Sequence, residues 1–196
     1  MIQDESRFKK AIHLIDRANS QDPNRESWQG EDYPKELLYA QRMTDRLSEF
    51  APDASEALQL AARCQHICRW EIPRESYPMD RTGYLKWRNE LKAFHAEKAE
   101  SILKEAGYEQ ELIDRVKFLL LKKQLRRDAE TQTLEDVICL IFLQYYFEPF
   151  SHKYEEEKLI DILQKTWRKM SDAGQAAALK LNLPEESKGL IIKALA

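Results

Sequence analysis

TLEDVICLIFLQYYF, residues 133 to 147, decides the fold. From Val137 onward it is apolar on nearly every side and holds neither Gly nor Pro. It is longer than an ordinary strand, so it reads as a buried helix. Working outward, every other apolar segment follows the helical period. Residues 5 to 19 place Phe8, Ile12 and Ile15 on one face behind Asp4, a natural N-cap. NSQDPNRESWQGEDYP (19 to 34) has the Asn, Asp, Pro and Gly content of a surface loop. Pro34 then starts a second helix through Leu37, Leu38, Ala40, Met43 and Leu47. Pro52 opens a third, 53 to about 70, with Ala57, Leu60, Ala61, Cys64 and Ile67 as its buried stripe.

A long fourth helix is expected over about 84 to 106, ended by Gly107 as the left-handed C′ residue. A fifth spans about 110 to 123, and the sixth begins near Thr133. Two more cover about 153 to 170 and 174 to 181, with a short last helix after Pro184. With five Gly and seven Pro in 196 residues, little room remains for strands and turns. The expectation is all-α with no β-sheet: a single globular helical domain over 1 to 196, with residues 134 to 147 at its centre.

A chain of this length can bury a core without metal or disulfide staples. Its formal charge of −3 argues against a DNA-wrapping surface but leaves room for a local basic patch. The three cysteines Cys64, Cys68 and Cys139 give no disulfide framework and read as buried thiols. Zinc on Cys64, His66 and Cys68 fails because helix residues two apart point to different sides. The N-terminus lacks a signal core, and no apolar run has transmembrane length, so the expected setting is the cytoplasm, away from membranes.

Chemistry concentrates in AARCQHICRWEIPRESYPMDRTGYLKWRNELKAFH, residues 61 to 95. Between Arg63 and Lys92 five arginines and two lysines face four carboxylates. A guanidinium stays charged and offers a planar fork of donors, which suits phosphate or carboxylate oxygens, while Trp and Tyr can stack on a base or an arginine. Tyr84, Arg88, Leu91, Lys92 and His95 share one face of the fourth helix, a mixture that suits a cleft wall. Arg69, Trp70, Arg74 and Arg81 come from the preceding loop. The expected ligand-binding residues are therefore Arg69, Trp70, Arg74, Arg81, Tyr84, Arg88 and Lys92, with Arg69, Trp70, Tyr84, Arg88 and His95 lining one pocket closed by the loop from Pro73 to Gly83. His66, His95 and Asp136 are the acid–base candidates, because His titrates near neutrality. A competing reading pairs the arginines with Glu71, Glu75, Asp80 and Glu90 as a structural network. For Asp136 the competing reading is a capping box from Thr133.

The order of parts resembles the HD-type metal-dependent phosphohydrolases. HAEKAESILKEAGYEQELIDRVKFLLLKK (95 to 123) is similar to the stretch after their metal-binding dyad, and LEDVICL to their aspartate-bearing helix start. The resemblance implies an HD-like helical core, with His66 matching the first metal-binding His and Asp136 the last metal-binding Asp. The chain departs from that pattern, since it contains no His-Asp dipeptide. Arg69, Trp70, Arg74, Tyr77 and Arg81 stand in that region instead. Guanidinium groups disfavour a dication on Coulomb grounds, so no residue is assigned as a metal ligand and no cofactor is expected. A ligand set of His66, His95, Glu135 and Asp136 ranks lowest.

AIHLIDRAN, DPN, YAQRM, LQLAARCQHICRW, PRESYP, GYLKWR, FHAEKAE, QTLEDVICLIFL and KTWRKMS are together similar to an uncharacterised family, domain of unknown function 4202. That resemblance covers almost the whole chain and implies a self-contained unit without supplying an activity. Two functions compete. One is a pocket that binds a phosphorylated small molecule or nucleotide, as an HD-like phosphohydrolase if it is an enzyme. The other is a non-catalytic module for RNA ends or a protein partner.

Overall fold

A computed structural model describes residues 2–195. The chain is helical throughout, with one small two-stranded sheet among the described residues. It divides into two compact units, 1–123 and 124–196. The division falls in a run of backbone that leaves the helical region: Lys122, Gln124 and Arg126 have φ of 54°, 53° and 75°. No Gly or Pro marks this run in the sequence.

In the first unit α1 (Glu5–Asn19) begins where Asp4 accepts the amides of Ser6 and Arg7. Its buried face is Ala11, Leu14, Ile15 and Asn19, with Phe8 and Ile12 half-buried on its flank. Next come β1 (Arg25–Trp28) and β2 (Glu31–Pro34), an antiparallel hairpin in the segment expected to be loop. The turn explains it. Gln29 and Gly30 both have positive φ, 53° and 83°, which matches the right-handed twist of a tight hairpin. Arg25 bonds Asp32 across the strands at 2.9 Å, a pairing that composition alone does not reveal.

Helix α2 (Lys35–Phe50) follows directly from Pro34, as expected. Its first turn is also held by Asp22, whose carboxylate accepts the Glu36 amide at 3.0 Å. Helix α3 (Glu56–Arg63) starts at the Ser55 cap, not at Pro52, and ends well before Trp70. Its expected stripe of Ala57, Leu60, Ala61, Cys64 and Ile67 is buried throughout. Burying Leu60 and Ile67 contributes on the order of 1.5–3 kcal/mol each before entropy is counted. The helix stops early because Cys68 turns left-handed, φ 52°, and its amide bonds the buried Asn19 side chain at 3.0 Å.

Helix α4 (Arg81–Ala106) is capped by Asp80 and ended by Gly107 at φ 95°. Helix α5 (Gln110–Leu120) packs on α4 and α3, and α1 lies against the same two helices. Leu91, Leu103, Ile113, Val116 and Leu119 make the centre of this unit.

In the second unit α6 (Ala129–Ile141) opens four residues before the expected start near Thr133. Asp128 is its cap and accepts the Thr131 amide at 2.9 Å, so Thr133 is an interior residue. The helix continues through a π-helical turn, Phe142–Tyr146, into α7 (Phe147–Ser151). Leu134, Val137, Leu140, Ile141, Leu143 and Phe147 are buried, so the deciding stretch is the core of this unit. Helices α8 (Glu156–Trp167), α9 (Asp172–Ala178) and α10 (Glu185–Leu195) complete it, with α9 on α6 and α10 on α8. No helix of the described residues is long and apolar enough to cross a membrane.

Candidate functional site

The left-handed turn at Cys68 brings His66 and Arg69 back onto each other. One guanidinium nitrogen of Arg69 lies 2.9 Å from His66 Nε2 and 3.4 Å from Nδ1. A donor this close to both ring nitrogens lies over the ring face, since one aligned with the Nε2 lone pair would stand far from Nδ1. Glu36 of α2 also reaches the ring, with Oε2 3.3 Å from Nδ1. The Glu36 carboxylate and the Arg69 guanidinium thus both stand against the His66 ring. Tyr39, one turn along α2, stacks on the His66 ring at 4.0 Å and 13°. His95 stands behind them on α4, its ring 6.0 Å from that of His66. Its Nδ1 donates to the Ile67 carbonyl at 2.8 Å, and the residue is buried.

The electrostatics follow from burial and a ring of cations. Burial pushes the His66 pKa well below its ordinary value, and Arg69, Lys122, Arg88 and Lys35 push it further. His95 is lowered to about 3, mainly by burial and then by His66. Burial raises the Glu36 pKa, against the opposing pull of Arg69, Lys35 and His95. The charges of Arg69, Lys122, Arg88 and Lys35, from four separate parts of the first unit, thus all act against protonation of this imidazole.

A pH dependence follows, with a definite sign. Both histidines bind protons more tightly in the unfolded chain, so stability is complete above the unfolded value near 6.5 and falls as pH drops towards the folded values. Urea titrations at several pH values are expected to show this loss between about pH 6.5 and 3. The slope is expected to be shallower in His95→Asn, which keeps a donor for Ile67 and cannot titrate. An unchanged slope in that variant would refute the assignment.

The other nominated residues divide between tasks. Arg69 lies over the Trp87 ring at 4.9 Å, and the Trp87 indole donates to the Ile72 carbonyl at 2.9 Å. Arg74 donates to the carbonyls of Tyr77, Pro78 and Asp80 and so fastens the loop; it is a structural arginine. Tyr84 is exposed and has Arg74 and Arg88 at 5.9 and 5.7 Å from its ring. Trp70 is half-buried in the same turn as Arg69, Lys92 is half-buried one turn beyond Arg88, and Arg81 is exposed at the start of α4.

The loop from Pro73 to Gly83 has a hollow of its own. It shapes a separate cleft of about 540 Å³ lined by Ile72, Pro73, Tyr77, Pro78, Lys86 and Glu90 among others, with none of the nominated arginines or histidines on its wall. Asp136 belongs to the second unit and has a task there. It is buried, and it accepts the Ser171 amide at 2.8 Å, the Ser171 hydroxyl at 2.5 Å and the Gln132 side chain at 3.1 Å. These bonds account for its burial as the anchor of the α9 N-terminus, in place of the acid–base role expected from its position.

Sequence reasoning missed Lys35, Glu36, Tyr39 and Lys122. Glu36 looked like an ordinary first-turn carboxylate, favoured there by the helix dipole. The available signal was its spacing of three from Tyr39, which puts both on one face of α2. Among the described residues no group of three or more His, Cys, Asp and Glu side chains is arranged to hold a metal ion.

The chain matches the family described as Domain of unknown function (DUF4202) over residues 9–191. No curated protein and no solved structure matches it. Since the match spans nearly the whole chain, His66 and its neighbours included, the protein belongs to the DUF4202 family.

Proposed function

We propose that the first unit binds a phosphorylated small molecule or nucleotide, its phosphoryl group held by Arg69 and Arg88 beside His66, with Lys35 and Lys122 adding to the positive field. One observation carries this reading: among the described residues neither Arg69 nor Arg88 has a carboxylate within 4.0 Å. Glu36 feels the charge of Arg69 from beyond that distance, and the other acidic residues nearby are engaged elsewhere. Glu71 pairs with Lys98 at 2.9 Å, Glu90 accepts from Tyr77 and faces Lys86, and Asp80 caps α4. Half-buried arginines with no carboxylate in contact leave donors that an anion can complete. Exposed Tyr84, next to Arg88, supports the second reading, a binding module for RNA ends, because a base could stack on it.

Thermal unfolding with inorganic phosphate and with mononucleotides tests the reading. A ligand at a hundred times its Kd stabilises by about 2.7 kcal/mol. Arg88→Ala is expected to lose that protection while leaving the unliganded Tm nearly unchanged, since its contact with Tyr84 is worth about 0.5–1 kcal/mol. If Arg88→Ala unfolds the protein and no anion protects the wild type, the arginines are structural and the reading fails. Protection by short single-stranded RNA but not by mononucleotides would favour the binding module.

A further inference from the structure

Resting on the anion-binding reading above, we infer that the ligand is a nucleotide unit, with its base stacked on Tyr84 and its phosphate held by Arg88 and Arg69. Tyr84 is 42% exposed, in the first turn of α4. Met79 and Leu85, on either side of it in the chain, are more exposed still. Three of the seven exposed large apolar side chains among the described residues therefore fall within residues 79 to 85. Apolar groups gathered at one end of a helix, rather than scattered singly, mark a surface that a ligand covers.

The cations around this patch narrow the choice of ligand. Arg81 is exposed in the same stretch, and the guanidinium carbons of Arg88 and Arg74 lie 5.7 and 5.9 Å from the Tyr84 ring centre. Both stand near the roughly 6 Å limit of a cation–π contact, so neither is pressed onto the ring and a flat base has room beside them. Trp87 cannot serve in place of Tyr84, because it is buried and its indole is tied to the Ile72 carbonyl. It is instead a fixed wall that adjoins both Tyr84, at 6.0 Å between ring centres, and Arg69, at 4.9 Å. A nucleotide keeps base and phosphate one sugar apart, so the phosphate donor must adjoin the stacking ring. Arg88, one helical turn beyond Tyr84 on the same face, meets that requirement. Arg69 rests against the rings of His66 and Trp87, contacts that supply no oxygen acceptor to its N–H groups. An inorganic anion or a sugar phosphate would engage the arginines and leave Tyr84, Met79 and Leu85 bare.

Calorimetric titration of the full chain with inorganic phosphate, ribose phosphate, adenosine monophosphate and an oligoadenylate bearing a terminal phosphate tests this. Adenine stands for any base, because stacking needs only a π-face. Adenosine monophosphate is expected to bind about tenfold or more tighter than ribose phosphate, as one stacked base provides. Tyr84→Ala is expected to remove that difference and leave ribose phosphate binding as in wild type, whereas Tyr84→Trp keeps it. In wild type the ring resonances of Tyr84 are expected to shift upfield with adenosine monophosphate and not with ribose phosphate, a readout that needs no variant. Beyond that, equal affinity for the mononucleotide and the oligoadenylate makes the unit a free nucleotide. Tighter oligoadenylate binding that Tyr84→Ala weakens makes it the end of an RNA strand. Adenosine monophosphate binding no tighter than ribose phosphate, with unmoved Tyr84 resonances, would overturn the inference and leave the anion site standing. Binding of none of the four probes would overturn both.

Discussion

Asp136→Ala is expected to destabilise the second unit by about 3 kcal/mol or more in the absence of any ligand, because it removes a buried charged acceptor and leaves the Ser171 amide and hydroxyl without it. The carboxylate takes three hydrogen bonds, two of them from Ser171. The Ser171 hydroxyl in turn accepts the Gly174 amide at 3.1 Å, so one carboxylate anchors the first turn of α9 onto α6. Gly174 confirms how closely the two helices meet there: a Cβ on it would stand 2.6 Å from the Asp136 carboxylate. Urea unfolding measures the loss, and hydrogen exchange is expected to show it first in α9 and α6. Asp136→Asn, which keeps one acceptor oxygen, is expected to lose less. A catalytic Asp136 predicts the opposite pattern, with stability unchanged. A loss under about 0.5 kcal/mol, the range of surface substitutions, would refute the structural assignment.

Gly83→Ala is the second large effect, expected at about 2–3 kcal/mol from forced overpacking. A Cβ at this position would lie 2.1 Å from the Pro78 carbonyl oxygen and 2.9 Å from its carbon. Backbone cannot swing aside as a long side chain can, so the loop itself must move. That movement strains the Arg74 bond to the Pro78 carbonyl, 2.7 Å, and the Asp80 cap on the Gly83 amide, also 2.7 Å. The variant is expected to show a lowered Tm and faster proteolytic cleavage between residues 72 and 80. Wild-type cleavage rates and Tm would show that the helix start is looser than the contact demands. Anion protection should survive in part, since Arg69 and Arg88 do not depend on the cleft.

The two largest effects were differently visible in the sequence. Gly83 stands in a turn-rich run, yet nothing local says that Pro78 backbone lies against it. Asp136 was legible as a helix-entry carboxylate, but its partner is thirty-five residues away in the chain. Elements set by neighbours three or four residues apart were readable: α1 with its Asp4 cap, Gly107 ending α4, the buried stripe from Ala57 to Ile67, and the apolar run that became the core of the second unit. Those features depend on periodicity and capping, which are local interactions.

The site itself was half legible. His66, Arg69, Arg88 and His95 carry a residue chemistry that marks a functional segment, and the structure gathers them around one imidazole. The expected helix from 53 to 70 would have spread that segment along a rod. Its end at Arg63 is decided by Asn19, forty-nine residues from the Cys68 amide it holds. Glu36 enters the site only because α2 packs on α3, and the hairpin forms only because Gln29 accepts a left-handed conformation beside Gly30. By itself the sequence determined the helical class, most helix faces and the basic, aromatic character of one segment, since these follow from side-chain period and local capping. The tertiary structure alone decided where α3 stops, which carboxylate backs His66 and which arginines lack one, because each depends on groups far apart in the chain meeting in a packed interior.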